Sequence, residues 1–246
     1  MSDSNNVTWI IGASSGVGAS SAVTLAASGR TLALSGRRVD ALDEVRSRVE
    51  QQGGSALVVP MDAADDASTR DALDRIAADA GTVSEVVFCA GLNVPKRNWD
   101  LLEISEFQAV VETNLTSVAR GIAAVLPGMR TNGGGRVVVI SSWAGWSFGR
   151  GAGVAYSASK TGLALLTESL NDQESANGIS ATVICPGDID TEFVDKRPTV
   201  PDAEARSRML SPDDVARTVA FVLDSPAEVC VNELVISPVR SHSYGK

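Results

Sequence analysis

The sequence predicts an α/β domain in which helices cover both faces of a doubly wound parallel sheet of about seven strands. Three observations predict it. Short apolar, β-branched runs recur along the chain, segments with apolar residues at helical spacing separate them, and a glycine-rich turn directly follows the first run. Near-continuous apolar strands suit a sheet buried on both faces. Strand–helix alternation suits βαβ crossovers.

The elements follow in order. Val7 to Ile11 is the first strand, and the turn Gly12 to Gly18 leads into an Ala-rich helix that runs through Ser28 to Gly29. Further strands are predicted at Thr31 to Ser35, Ala56 to Val59, Glu85 to Phe88, Arg136 to Ile140, Ser180 to Ile184 and Glu233 to Ile236. Helical spacing marks Val39 to Gln52, Ala67 to Ala80 and Phe107 to Arg130. Asn132-Gly133-Gly134-Gly135 is a turn before a strand. The stretch 188–210 breaks the alternation with Pro198, Pro201 and many charges. Long insertions in compact domains are often functional, so it reads as a substrate loop or lid, with a plain surface loop as the alternative. No Pro/Gly/Ser linker or solenoid-period repeat divides the chain, so 1–246 reads as a single domain.

Composition narrows the function classes. Of the 246 residues 44% are hydrophobic, enough for a sizeable core. A net charge of −9 argues against nucleic-acid partners, although local Arg clusters could still take anionic small molecules. Cys89, Cys185 and Cys230 lie far apart and His242 is the single His, so neither a disulfide framework nor a metal site is expected. The polar stretch Met1 to Asn6 lacks a signal-peptide pattern, and no run of about 18 apolar residues occurs. The expectation is a soluble cytoplasmic protein without a membrane partner.

The chemistry-bearing residues begin at Gly12-Ala13-Ser14-Ser15-Gly16-Val17-Gly18. Strand, glycine turn and helix together make a dinucleotide site, because glycine backbone can approach a pyrophosphate and a helix start offers free N–H groups. A purely structural turn is the alternative. The same residues match G-x-S-x-G, the nucleophile elbow of serine hydrolases, but the only candidate base is His242 in a polar tail. The second strand ends at Ser35-Gly36-Arg37-Arg38 with no acid to meet the ribose hydroxyls of NAD. Arg37 could instead pair with a ribose 2′-phosphate, which favours NADP(H) over NAD(H), unless these arginines merely open a solvated helix. Asp62, after the third strand, is placed for the adenine amino group or for capping a helix.

Tyr156 and Lys160 stand four residues apart in Val154-Ala155-Tyr156-Ser157-Ala158-Ser159-Lys160, on one face if the segment is helical. An ammonium beside a phenol favours phenolate and would bring the Tyr toward working pH as a general acid or base. A surface Tyr–Lys pair is the bland alternative.

Taken together, Gly12 to Gly18, Ser142 in Ile140-Ser141-Ser142-Trp143-Ala144-Gly145, and Tyr156-x-x-x-Lys160 resemble the short-chain dehydrogenase/reductase family, of an NADP-preferring type. The resemblance runs from Val7 to about Pro238. It implies a Rossmann-like fold and a tetrad of Asn114, Ser142, Tyr156 and Lys160. It also implies cofactor contacts from Gly12, Ser14, Ser15, Gly16, Val17, Gly18, Ala90, Gly91, Tyr156, Lys160, Pro186, Gly187, Ile189 and Thr191. Phe88-Cys89-Ala90-Gly91 departs from the family's Asn-Asn-Ala-Gly, so only its last two residues match. The gap from Ser142 to Tyr156 is one residue longer than usual, and Ser142 is chosen over Ser141 because Ala144-Gly145 follows at the usual offset. The C-terminal stretch Val231 to Pro238 resembles NADP-dependent hydroxy-acid and serine dehydrogenases or broad-range carbonyl reductases.

The activity so implied is interconversion of a secondary alcohol or hydroxy acid with a ketone or aldehyde. Tyr156 would pass the proton, Ser142 would bind the same oxygen, Lys160 would lower the Tyr pKa, and Asn114 would hold a water leading from Lys160 to solvent. A non-catalytic NADP-binding sensor is the competing class. Trp143, Trp146 and Phe148 could line an apolar substrate pocket, or serve core or subunit packing. Arg150, Lys196 and Arg197 could bind an acidic substrate group, or be solvated charges. His242 reads as tail surface. The family's habit implies a homotetramer or homodimer through Phe107 to Arg130 and Ala155 to Ala176.

Overall fold

The computed structural model describes residues 6–149 and 151–240, so Arg150 and His242 lie outside the described residues. Seven strands form one parallel sheet: β1 (Asn6–Ile11), β2 (Thr31–Ser35), β3 (Ser55–Val58), β4 (Thr82–Phe88), β5 (Gly135–Ile140), β6 (Ile179–Pro186) and β7 (Glu233–Ile236). Their spatial order is β3-β2-β1-β4-β5-β6-β7. The order reverses between β1 and β4, so the turns after those two strands open the crevice where such sheets bind ligands.

The pleat sends alternate residues to opposite faces. Val7, Trp9 and Ile11 of β1 pack toward α3 (Asp66–Asp79), α5 (Ser117–Thr131) and α7 (Val154–Glu174). Ile10 packs toward α1 (Gly16–Ala26), α2 (Val39–Gln51) and α9 (Pro212–Leu223). Trp9 is fully buried, and its indole N–H finds the Ser35 hydroxyl at 2.8 Å, which satisfies its one polar atom. α9 is a helix the spacing analysis missed. Its start is nevertheless written in the sequence: Ser211 and Asp214 form a capping box around Pro212 at the first helical position.

The predicted helix from Phe107 to Arg130 begins earlier and is not uniform. α4 (Ile104–Val111) passes into one π-helical turn, Glu112–Thr116, before α5. The composite helix is long and apolar enough to cross a membrane, yet Val118, Ile122, Val125 and Met129 are buried in the core on the sheet.

The segment 188–210 is not featureless. It carries a 3₁₀ turn, Glu192–Lys196, and a short helix α8 (Ala203–Arg206). Its two ends are stitched by Asp190 N–H to the Leu210 carbonyl at 2.8 Å and Leu210 N–H to the Asp188 carbonyl at 2.9 Å. Arg206 bridges Asp190 and Asp195 inside it. It is a compact loop with closed ends, shaped by its own ion pairs.

Candidate active site

The turn after β1 is built by its glycines. Gly12 has φ of 89°, and a Cβ there would come within 2.5 Å of the Ala90 nitrogen on the neighbouring turn. A Cβ on Gly18 would meet the Gly12 carbonyl oxygen at 2.2 Å, so α1 can press onto the turn only at a glycine. Gly16, with φ of 52°, faces the methyl group of Thr191 at 3.4 Å from its would-be Cβ. Ser15 at the N-cap makes no side-chain cap bond, and the first turn of α1 carries no acid. Its N–H groups are thus not satisfied by the helix's own cap, which suits an anion. The structure therefore groups Gly12, Gly16, Gly18, Ala90 and Thr191 at one mouth.

At the end of β2, Arg38 turns onto this mouth. Arg38 donates to the Ser14 carbonyl at 3.2 Å and to its hydroxyl at 3.4 Å; Arg37 beside it is, like Arg38, exposed. Asp62 does not cap a helix. Asp65 caps α3 through the Ala67 and Ser68 N–H groups, while Asp62 accepts from the Ala64 N–H at 3.1 Å in a tight side-chain turn. Pro186 and Gly187 end β6, where Gly187 N–H bonds the Ile236 carbonyl at 2.7 Å, and Ile189 pairs with Leu210 at the loop's stem.

Tyr156 and Lys160 do share a face of α7, with the Lys160 ammonium 5.9 Å from the phenol ring centre. Lys160 is buried and donates to the Ile140 carbonyl at 2.7 Å. Ser141 and Ser142 separate in role. The buried Ser141 hydroxyl donates to the Lys160 carbonyl at 2.9 Å, whereas Ser142 stands near the Tyr156 phenol and pulls its pKa down. Gly145 makes this closeness possible, since a Cβ there would lie 2.5 Å from the Ser141 hydroxyl and 2.6 Å from the Lys160 carbonyl. Asn114 sits fully buried in the π turn. Its carboxamide accepts from Leu92 N–H at 2.7 Å and donates to the Leu92 carbonyl at 2.9 Å and the Ser159 hydroxyl at 3.1 Å. These contacts clamp the turn after β4 to α7.

Electrostatics correct one expectation. The Tyr156 phenol is raised, not lowered, chiefly by burial; Ser142 pulls it down, as do the Arg197 and Arg97 guanidiniums, and Asp188 pushes it up. Lys160 is not among these influences. Desolvation lowers Lys160 to about 8. Burial also pushes the thiols up, Cys89 to about 12 and Cys185 to about 11, so neither is a nucleophile at neutral pH.

The aromatic pocket is only partly as expected. Trp143 and Trp146, at the two ends of the short helix α6 (Trp143–Trp146), meet edge to face at 4.9 Å between ring centres, but Trp146 is 47% and Phe148 85% exposed. The ring beside Tyr156 is instead Phe193, 5.9 Å away on the 3₁₀ turn. Lys196 is exposed, and Arg197 pairs with Asp188. Sequence spacing gave no signal for Phe193 or for the buried Arg97, because both reach the site through loops.

Comparison with known proteins gives the geometry its setting. The family model described as "short chain dehydrogenase" matches residues 6–201. The chain is 32% identical over 234 residues to a cis-4-hydroxycyclohexanecarboxylate dehydrogenase of Sinomonas cyclohexanicum, covering 93% of each protein. It is 31% identical over 243 residues to the glycine betaine reductase ATRR of Emericella nidulans, which spans 96% of this chain but 19% of that far longer protein. A solved structure described as the closed form of serine dehydrogenase complexed with NADP+ superposes with a TM-score of 0.88, at 25% identity, over 98% of each chain.

Proposed function

This chain is a member of the short-chain dehydrogenase family and an oxidoreductase, and from that premise we propose that it interconverts a secondary alcohol or hydroxy acid with its ketone or aldehyde, using NADP(H) in preference to NAD(H). The observation that carries the reading is Ser142 beside the Tyr156 phenol, which shares a face of α7 with the buried Lys160, in the crevice that begins at the glycine turn. The turn fits a dinucleotide: Gly16 is backbone-strained for any other residue, and the start of α1 lacks a side-chain cap. Gly12, Ser14, Ser15, Gly16, Val17 and Gly18 would hold the pyrophosphate, with Thr191 opposite. Arg38, with Arg37 beside it, would meet a ribose 2′-phosphate, and the NADP+ bound to the serine dehydrogenase relative supports that preference. Asp62 remains placed for the adenine side.

A nicotinamide cofactor, when bound, supplies or accepts the hydride. The protein's own part is proton handling and positioning. The raised phenol keeps its proton at neutral pH, so Tyr156 Oη is poised to donate to an alkoxide oxygen as charge develops there. Ser142 supplies a second donor to that oxygen. The Lys160 ammonium stands 5.9 Å from the phenol ring centre, fixed by the Ile140 carbonyl, and would reach the bound cofactor. Asn114 holds the turn after β4 against α7, so that Gly91 and Lys160 keep their places.

The hydroxy-acid arm is supported by the carboxylate named in the Sinomonas relative. Exposed Ile104 on α4 and Leu165 on α7 suit a homodimer or homotetramer, and the free thiols suit a cytoplasmic setting. The test is a panel of alcohols and carbonyls with NADP(H) and NAD(H) in parallel. Turnover with NADPH favoured is the expected result. A clear NAD preference rejects the arginine reading, and tight NADPH binding without turnover across the panel points to a sensor instead.

A further inference from the structure

We propose that Arg97 and Arg197 form a recognition subsite for a substrate carboxylate, which narrows the substrate from any secondary alcohol to a hydroxy acid and its oxo acid. The inference rests on the oxidoreductase reading above.

Arg97 is a buried cation that bonds no carboxylate among the described residues. It is 7% exposed. Its guanidinium donates to three neutral carbonyls: Val94 at 2.9 Å, Lys196 at 3.1 Å and Gly151 at 3.5 Å. Carbonyls satisfy its N–H groups without neutralising its charge, and a buried guanidinium normally faces an anion. The position is a built one. Gly153 has φ of 94°, and a Cβ there would lie 2.5 Å from the Arg97 Cβ, so the start of α7 is shaped around this side chain. The Lys196 carbonyl it holds belongs to the loop that carries Phe193, the ring against Tyr156.

Arg197 is the second cation. It pairs with Asp188, the only carboxylate among the groups that act electrostatically on Tyr156, against the two guanidiniums Arg97 and Arg197. Beside it lies a cavity of about 110 Å³ lined by Arg197, Arg208 and Arg240, with Asp188 the one acid; Arg97 adjoins Arg197 from outside that lining, through its bond to the Lys196 carbonyl. A chain of net charge −9 thus gathers positive charge in and next to its catalytic crevice. Guanidinium forks match a carboxylate's two oxygens, and a cavity of this size admits a carboxylate-bearing fragment. Burial lowers Arg97 and the neighbouring Arg197 lowers it further, so an anion between them would relieve both effects.

The experiment measures binding, so it does not depend on finding the true substrate. Small carboxylates (propionate, hexanoate, cyclohexanecarboxylate and benzoate) and their primary amides are titrated by calorimetry into the protein saturated with NADP+. At least one acid should bind about tenfold or more tighter than its amide, as expected for a charge-assisted hydrogen bond. Arg97→Gln and Arg197→Gln should each remove most of that preference. A purely structural role for Arg97 would weaken acid and amide alike. If Arg97→Gln fails to fold, Arg197→Gln at its more exposed position decides the matter. No acid-over-amide preference in the wild type, or a preference that survives Arg197→Gln, overturns the subsite. Turnover of neutral ketones by the same protein would then leave the oxidoreductase reading standing.

Discussion

Lys160 carries a protonated amine into a site where burial alone lowers its pKa from 10.5 to about 8. Below pH 8 both folded and unfolded chains hold the proton, and the folded state bears the full desolvation cost, about 3 kcal/mol. Between about pH 8 and 10.5 the unfolded chain binds the proton that the folded chain has released, so folded stability rises with pH across that window. Replacing Lys160 by Met removes the cost but leaves the Ile140 carbonyl without its donor, worth about 1–2 kcal/mol. The Lys160→Met variant should therefore be about 1–2 kcal/mol more stable than wild type at pH 7 by chemical denaturation, lose that margin as pH rises through 8 to 10.5, and be inactive. A variant less stable at pH 7 would show that the ammonium is not held at a cost. The spacing of Tyr156 and Lys160 was legible in the sequence, and so was their shared helix face. The direction of the phenol's shift was not, because neighbours along a helix say nothing about desolvation, which depends on the walls that loops bring in. Phe193 and Arg97 are such walls.

The π turn at Glu112–Thr116 shows the same limit among elements. One extra residue in a turn leaves the apolar spacing of a long helix nearly unchanged, so the sequence read α4 and α5 as continuous. The turn presents Asn114 to Leu92 and Ser159, and π turns recur at functional sites. Asn114→Ala orphans the Leu92 N–H and carbonyl and should cost about 2–4 kcal/mol in denaturant midpoint analysis, together with most of the turnover. Little loss of stability would mean that the clamp is not made. A second tie links α5 to the end of α7: Arg130 and Asn177 bond Glu174, which holds its carboxyl down at about 2 instead of 4.5. A lowered carboxyl stabilises above its unfolded pKa and loses that contribution as pH falls from 4.5 toward 2. The Glu174→Gln variant should thus be less stable than wild type at pH 7, and its deficit should shrink over that acid window. A deficit constant with pH would assign the loss to packing instead. By contrast, the start of α9 is legible in Ser211-Pro212-Asp213-Asp214, whose capping box and Pro at the first helical position are local signals.

Across the molecule, the strand runs and the glycine turn specify the sheet and its ligand edge, because apolar β-branched runs are buried on both faces and Gly12 and Gly18 are sterically required where β1, β4 and α1 converge. What the sequence leaves open is how the loops after β4, β5 and β6 fold over that edge. Those loops bring Arg97, Ser142, Phe193 and Arg197 around one phenol, and they decide which molecule fits. The central claim is that Tyr156 passes the proton in a nicotinamide-dependent alcohol–carbonyl reaction. Its most direct test is the turnover of Tyr156→Phe beside wild type, on the best carbonyl found with NADPH, with folding checked by circular dichroism and NADPH binding by fluorescence. A loss of about 10²–10⁴-fold in kcat with NADPH affinity retained is predicted. Near-wild-type kcat in the folded, NADPH-binding variant would contradict the account.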